Sequence, residues 1–219
     1  MTIGTNRRIP VVPTLVVALA ALLMVRLGVW QIHRLHEKEA LIARFADNLH
    51  KPPLAYAALW PVQEQDLYRR AGADCLQVLG WKAESGRSTA GLPGWRHIAS
   101  CRTGAEGPGL TVDMGISQSS QPPKNWSGGP VRGRVTWAPD GQPLIARLFA
   151  AEPPRQPMIV SEAAAPGLVP TAQPDPSSIP NNHLSYAVQW FLFAGIAVLI
   201  YGIALYRRGR SVAREGAER

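Results

Sequence analysis

Cysteine and acidic residues are the scarce components of this 219-residue chain. Two cysteines exclude a disulfide-dense mini-scaffold and any four-cysteine zinc or iron–sulfur site. Fifteen Asp and Glu stand against 23 Lys and Arg, a net charge of +8. The charged fraction of 17% falls below the roughly one quarter usual in soluble domains. Short enzyme signatures are also missing: there is no GxSxG elbow, no GxxxxGK[ST] phosphate loop, no GxGxxG and no HExxH. No internal repeat of roughly 20–50 residues is present. Twenty Gly and 20 Pro stay below the roughly 25–30% combined share that marks low-complexity disorder.

A basic chain points first to nucleic acid or to a membrane surface, and the location of the charge separates the two. Ile9 to Val25 is 17 residues without a charge; after Arg26 the run continues to Trp30. Leu184 to Tyr206 is 23 residues without a charge, closed by Arg207 and Arg208. About 20 apolar residues cross the hydrocarbon core. The second run qualifies outright, and the first qualifies if Arg26 extends toward the interface. Trp30, Tyr186, Trp190, Tyr201 and Tyr206 suit an aromatic belt. A cleaved signal peptide is the rival for the first run, but apolar residues continue well past its small-x-small Ala18-Leu-Ala20.

From Gln31 to His183 there are 15 basic and 13 acidic residues, so most of the excess charge lies in and beside the spans. The positive-inside rule then expects both tails in the cytoplasm and the middle exported. With no basic patch in the middle, no nucleic-acid partner is expected. The expected order is a cytoplasmic tail (1–8), a span (9–30), an exported domain (31–183), a second span (184–206) and a basic cytoplasmic tail (207–219). The lipid bilayer is therefore a partner.

Gln31 to Asn48 reads as a helix continuing from the first span and ended by Pro52-Pro53. Strands are expected at Cys75–Trp81, Arg96–Arg102, Leu110–Ile116, Val131–Trp137, Leu144–Phe149 and Met158–Val160. They suggest an α+β domain built mainly on a small antiparallel sheet or partial barrel. Residues 151–180 carry eight prolines and read as an extended return to the membrane, not a core element. Cys75 and Cys101 suit either a disulfide between neighbouring strands in an oxidising compartment or a pair of small buried hydrophobes. Gly195 and Gly202 offer a small-residue seam, with the first span as its partner.

The outer ends of the two spans carry the most information. Trp30, Arg34 and Lys38 recur every four residues on one helical face. His183, Tyr186, Ala187, Trp190 and Ala194 share a face of the second helix. The topology brings Trp30 and His183 to the same interface. An imidazole, aromatic walls and two cations have the elements of a haem pocket, with His183 on iron and Arg34 or Lys38 on propionates. The same residues also make an ordinary boundary anchor, with Asn181 or Asn182 capping the helix. His33, His36 and Glu37 have metal-ligand spacing but read as a solvated face.

The two segments resemble the Surfeit locus family of cytochrome c oxidase assembly factors. The family pattern LGxWQxxRxxxKxxLI is matched at Leu27, Gly28, Trp30, Gln31, Arg34, Lys38, Leu41 and Ile42. NNHLxYAxxWF is matched at Asn181, Asn182, His183, Leu184, Tyr186, Ala187, Trp190 and Phe191. The middle departs from the family: where a strand tends to end in NRGW, residues 111–116 read TVDMGI. The resemblance implies a non-enzymatic factor that binds haem a, or the nascent catalytic subunit of cytochrome c oxidase, during cofactor insertion. It carries the haem ligand over to His183 alone. The alternative is a cofactor-free scaffold that docks on oxidase subunits; association with a second copy of the chain is left open. No amphipathic Arg/Ser-rich stretch precedes the first span, which favours a bacterial inner membrane over a mitochondrion.

Overall fold

The computed structural model describes residues 10–105, 107, 109–139 and 155–215. The chain divides into two compact units, one comprising Met1–Ala40 and Pro180–Arg219, the other Leu41–Ile179. The first is built from two long helices, α1 (Val11–Asn48), up to Ala40, and α2 (His183–Glu215). Both are long and apolar enough to cross a membrane, and little of either apolar stretch is buried. A soluble core helix would be mostly covered. As expected from sequence, α1 runs without a break from the apolar stretch to Asn48, just short of the two prolines.

Among the described residues the second unit holds seven strands: β1 (Leu54–Ala55), β2 (Arg70–Cys75), β3 (Gln77–Arg87), β4 (Pro93–Arg102), β5 (Leu110–Ser117), β6 (Gly129–Trp137) and β7 (Pro157–Ser161). They form one sheet in the order β1-β2-β6-β7-β5-β4-β3. The sheet is mixed and not antiparallel throughout, because β1–β2 and β5–β7 pair in parallel. It is also not a closed barrel: β1 and β3 remain as edges. The strand expected at Leu144–Phe149 lies outside the described residues. The one expected at Cys75–Trp81 straddles the break at Leu76 between β2 and β3.

The Pro-rich return contradicts its expected role outside the core. Its Met158-Ile159-Val160 run is β7, inserted between β6 and β5 at the centre of the sheet. All three residues are buried, as a strand covered on both faces requires. Pro157 opens the strand, where a missing N–H is tolerated. Further on, Ile116 and Val169 exchange both backbone hydrogen bonds. Gly115, at φ +124°, permits this approach; a Cβ there would come within 2.8 Å of the Val169 carbonyl oxygen.

Cys75 and Cys101 form a disulfide, but between strands that are not neighbours. Three strands separate β2 from β4, which in a flat sheet places them about 19 Å apart at roughly 4.8 Å per step. Their Cα atoms are 5.3 Å apart, and Leu76 N–H donates to the Arg102 carbonyl at 2.9 Å. The sheet therefore coils until β2 and β4 meet at one end.

The core joins Val112, Val135 and Ile159 to Leu110, Val131 and Ala99, all buried. The end of α1 enters it through Phe45, whose ring lies 4.7 Å from that of Tyr68. Buried Asn48 donates to the Gln65 and Leu67 carbonyls at 2.8 Å each.

Two buried polar groups tie β4, β5 and the return segment together. Asp113 is fully buried; its Oδ2 accepts from Arg96 Nε at 2.7 Å, and its Oδ1 from Thr171 Oγ1 at 2.8 Å and Gly115 N–H at 3.0 Å. His97, also buried, lies with Nε2 2.9 Å from Ser117 Oγ. That hydroxyl donates onward to the Ser119 carbonyl at 2.8 Å, so it accepts from His97 Nε2–H. Burial lowers the His97 pKa, against smaller opposing effects of the Ser119 backbone and the Asp113 charge. A depressed histidine leaves the unfolded chain binding the proton first, so stability is full above about 6.5 and falls as pH drops toward the lower folded value. Urea unfolding of the purified chain in detergent should show a stability loss below pH 6.5 that His97→Gln flattens; an unchanged slope contradicts this.

Candidate functional site

The helical unit takes its geometry from a 3.5-residue periodicity. In α2 the least exposed positions from His183 to Tyr201 are His183, Ala187, Trp190, Ala194, Ala197 and Tyr201, spaced alternately by four and three residues. In α1 the corresponding line runs through Thr14, Val17, Ala21, Met24, Gly28, Gln31, Leu35 and Lys38. Such lines on two helices make the left-handed seam of small-angle packing. Ala187 is fully buried and Ala194 nearly so. The seam expected at Gly195 and Gly202 is not used. Each lies one position off the line, and a Cβ at either would meet nothing within 4 Å.

Three contacts between chain-distant residues fix the register of the seam. Thr14 Oγ1 and the Tyr201 hydroxyl share a 2.5 Å hydrogen bond. Fourteen residues further along α1, Gly28 lies against the Phe191 ring so closely that a Cβ would come within 2.7 Å of it. At the far end, Gln31 Oε1 meets His183 Nδ1 at 2.7 Å. Both motifs of the sequence therefore touch: Gly28 and Gln31 come from the first, Phe191 and His183 from the second.

His183 opens α2 and is half-buried. Asn182 sits at the cap position, its carbonyl accepting from Tyr186 N–H at 3.2 Å and from Ser185 Oγ at 2.8 Å. The Asn181 side-chain oxygen beside it is buried without a hydrogen-bond partner. Trp190, half-buried, meets Phe193 edge-on at 6.3 Å between ring centres. Trp30 and Tyr186 are about half exposed, at 51% and 50%, and neither lies on the seam line. Arg34 is paired with Glu37 at 2.6 Å, both exposed; Lys38 is half-buried on the seam line. The structure brings His183 together with Gln31, while Trp30, Arg34 and Tyr186 point to outer surfaces.

On the described seam line, the imidazole of His183 has the donor chemistry of a haem ligand. Its Nδ1 is engaged by Gln31, and among the described residues its Nε2 has no partner. A half-buried ring with one nitrogen oriented would hold a haem iron through the other. Among the described residues no group of three or more His, Cys, Asp or Glu is arranged to hold a metal ion. His33 and His36 are exposed and Glu37 is engaged with Arg34.

Gln31 and Phe191 belong to the two motifs, yet side-chain chemistry alone does not single them out. The signal for both is the pairing of two 3.5-residue lines, which requires knowing the helix register.

Known proteins extend the likeness beyond the two motifs. Residues 18–195 match the SURF1 family. A SURF1-like protein of Monosiga brevicollis is 26% identical over 222 residues, covering 84% of this chain and 83% of its own length.

Proposed function

The chain belongs to the SURF1 family of cytochrome oxidase assembly factors, and from that premise we propose that it carries haem a at His183 for insertion into the catalytic subunit of the oxidase. The observation that carries this reading is the contact of the two motifs at one end of the helix pair. There, a half-buried histidine is held on one nitrogen and left open on the other.

In this reading both helices cross a bacterial inner membrane, with both termini in the cytoplasm and the sheet unit exported. The positive flanks support the orientation, and the Cys75–Cys101 disulfide suits an oxidising compartment. When bound, the haem supplies an iron that accepts a nitrogen lone pair. His183 provides that nitrogen, Trp190 a flat apolar wall, and Lys38 a cation for a propionate. Arg34 can join it only by leaving Glu37. The protein performs no bond-making step; it binds and releases.

A second reading, the cofactor-free scaffold, draws on the exposure of Trp30 and Tyr186, which suits two aromatics covered by a partner subunit. The two readings part on one experiment. In cells lacking this chain, haem a in the isolated catalytic subunit should fall severalfold, and the wild-type chain should restore it. Failure of His183→Ala to restore it supports haem carriage; full restoration by that variant, still co-purifying with the subunit, supports the scaffold.

A further inference from the structure

We propose that Gln31 is the positioning residue of this site: it holds His183 as the Nδ1–H tautomer and so makes Nε2 the ligating atom. The inference rests on the haem reading above for its ligand. Its geometry stands independently.

An amide oxygen only accepts, so the 2.7 Å contact of Gln31 Oε1 with His183 Nδ1 requires the proton on Nδ1. A neutral imidazole carries one N–H, and Nε2 is left with a bare lone pair. An imidazole free in water favours the opposite tautomer, with the proton on Nε2 and no lone pair there for a metal. The amide therefore selects the less common form, and it also fixes the ring plane. Hydrogen bonding at the second nitrogen is how ligand histidines are oriented and made more basic.

Helix packing delivers the amide to the ring. Gln31 and His183 stand 152 residues apart in the chain and meet because both lie on the seam. One turn earlier on α1, the absent side chain of Gly28 lets the Phe191 ring close in. The pair is thus set by α1 and α2 together and by neither helix alone. Trp30 and Arg34, the neighbours of more obvious chemistry, are exposed and do not reach the ring.

The test uses the full chain in detergent micelles, with histidine labelled with nitrogen-15 and no cofactor. His183→Ala assigns the resonances. Wild type should show His183 protonated at Nδ1 and bare at Nε2. Gln31→Leu keeps the bulk but removes the acceptor, and should move the population to the Nε2–H form. Gln31→Glu, which keeps an acceptor, should retain the wild-type pattern. Titration with haemin should then show affinity lowered about 10- to 100-fold in Gln31→Leu and near wild type in Gln31→Glu. A wild-type His183 protonated at Nε2, or a tautomer unmoved by Gln31→Leu, overturns the proposal. A wild type with the expected tautomer that takes up no haemin removes the haem reading and leaves the tautomer assignment standing.

Discussion

Asp113→Ala should lower the stability of the chain by about 3–5 kcal/mol, the range for removing one partner of a buried ion pair. The carboxylate is fully buried, while its Arg96 partner keeps 19% of its side chain exposed. The substitution strands three donors at once: the Arg96 guanidinium, the Thr171 hydroxyl and the Gly115 N–H. Of these, the Thr171 hydroxyl and the Gly115 N–H are buried and cannot turn to bulk water without opening the contact between β5 and the return segment. Replacing both charges, as in Arg96→Met with Asp113→Leu, should cost far less, because no buried charge is then left alone. Urea unfolding in detergent micelles, followed by tryptophan fluorescence, measures both. A single-variant loss below about 1 kcal/mol contradicts the assignment of Asp113 as the tie between β4, β5 and residue 171.

Replacing Cys75 and Cys101 together by serine should cost about 3 kcal/mol. The bridge closes a loop of 26 residues, and loops of that length restrict the unfolded chain by roughly this amount. The effect should also be local. The bridge joins strands that three others separate, so its removal loosens the coil of the sheet at that end. Hydrogen exchange should report it as lost protection at the Leu76 N–H, which donates to Arg102. The β6–β7 ladder should stay protected. Equal stability of the reduced and oxidised chain contradicts this account.

Much of the architecture is legible in the sequence where one constraint dominates. The apolar runs make α1 and α2 legible, because length and a near absence of charge are enough to mark a helix able to cross a membrane. Val131–Trp137 and Leu110–Ile116 are legible as strands through their β-branched residues, and the structure extends each by only one or two residues. Arg70–Cys75 is not legible: RAGADC has no β-branched or aromatic residue, and its pairing with β6 decides its state. The placement of β7 is hidden as well. Met158–Val160 is legible as a strand, but the prolines on both sides suggest a linker, and only long-range pairing with β6 on one side and β5 on the other makes the run central. The disulfide partners can be named from sequence, but not the coil that brings β2 to β4. At the candidate site His183 stands out by its chemistry, while Gln31 gains its meaning only from helix register. Trp30 and Arg34, chosen for four-residue spacing, lie off the 3.5-residue line that governs the packed pair.

The most direct test of haem carriage is the absorption spectrum and haem content of the full chain purified from cells that make haem a. The wild type should carry haem with the bands of a histidine-ligated iron, and His183→Ala, still folded and membrane-extracted, should lose it. The same haem content and spectrum in both proteins would contradict the ligand role of His183. A wild type without haem would leave the scaffold in its place.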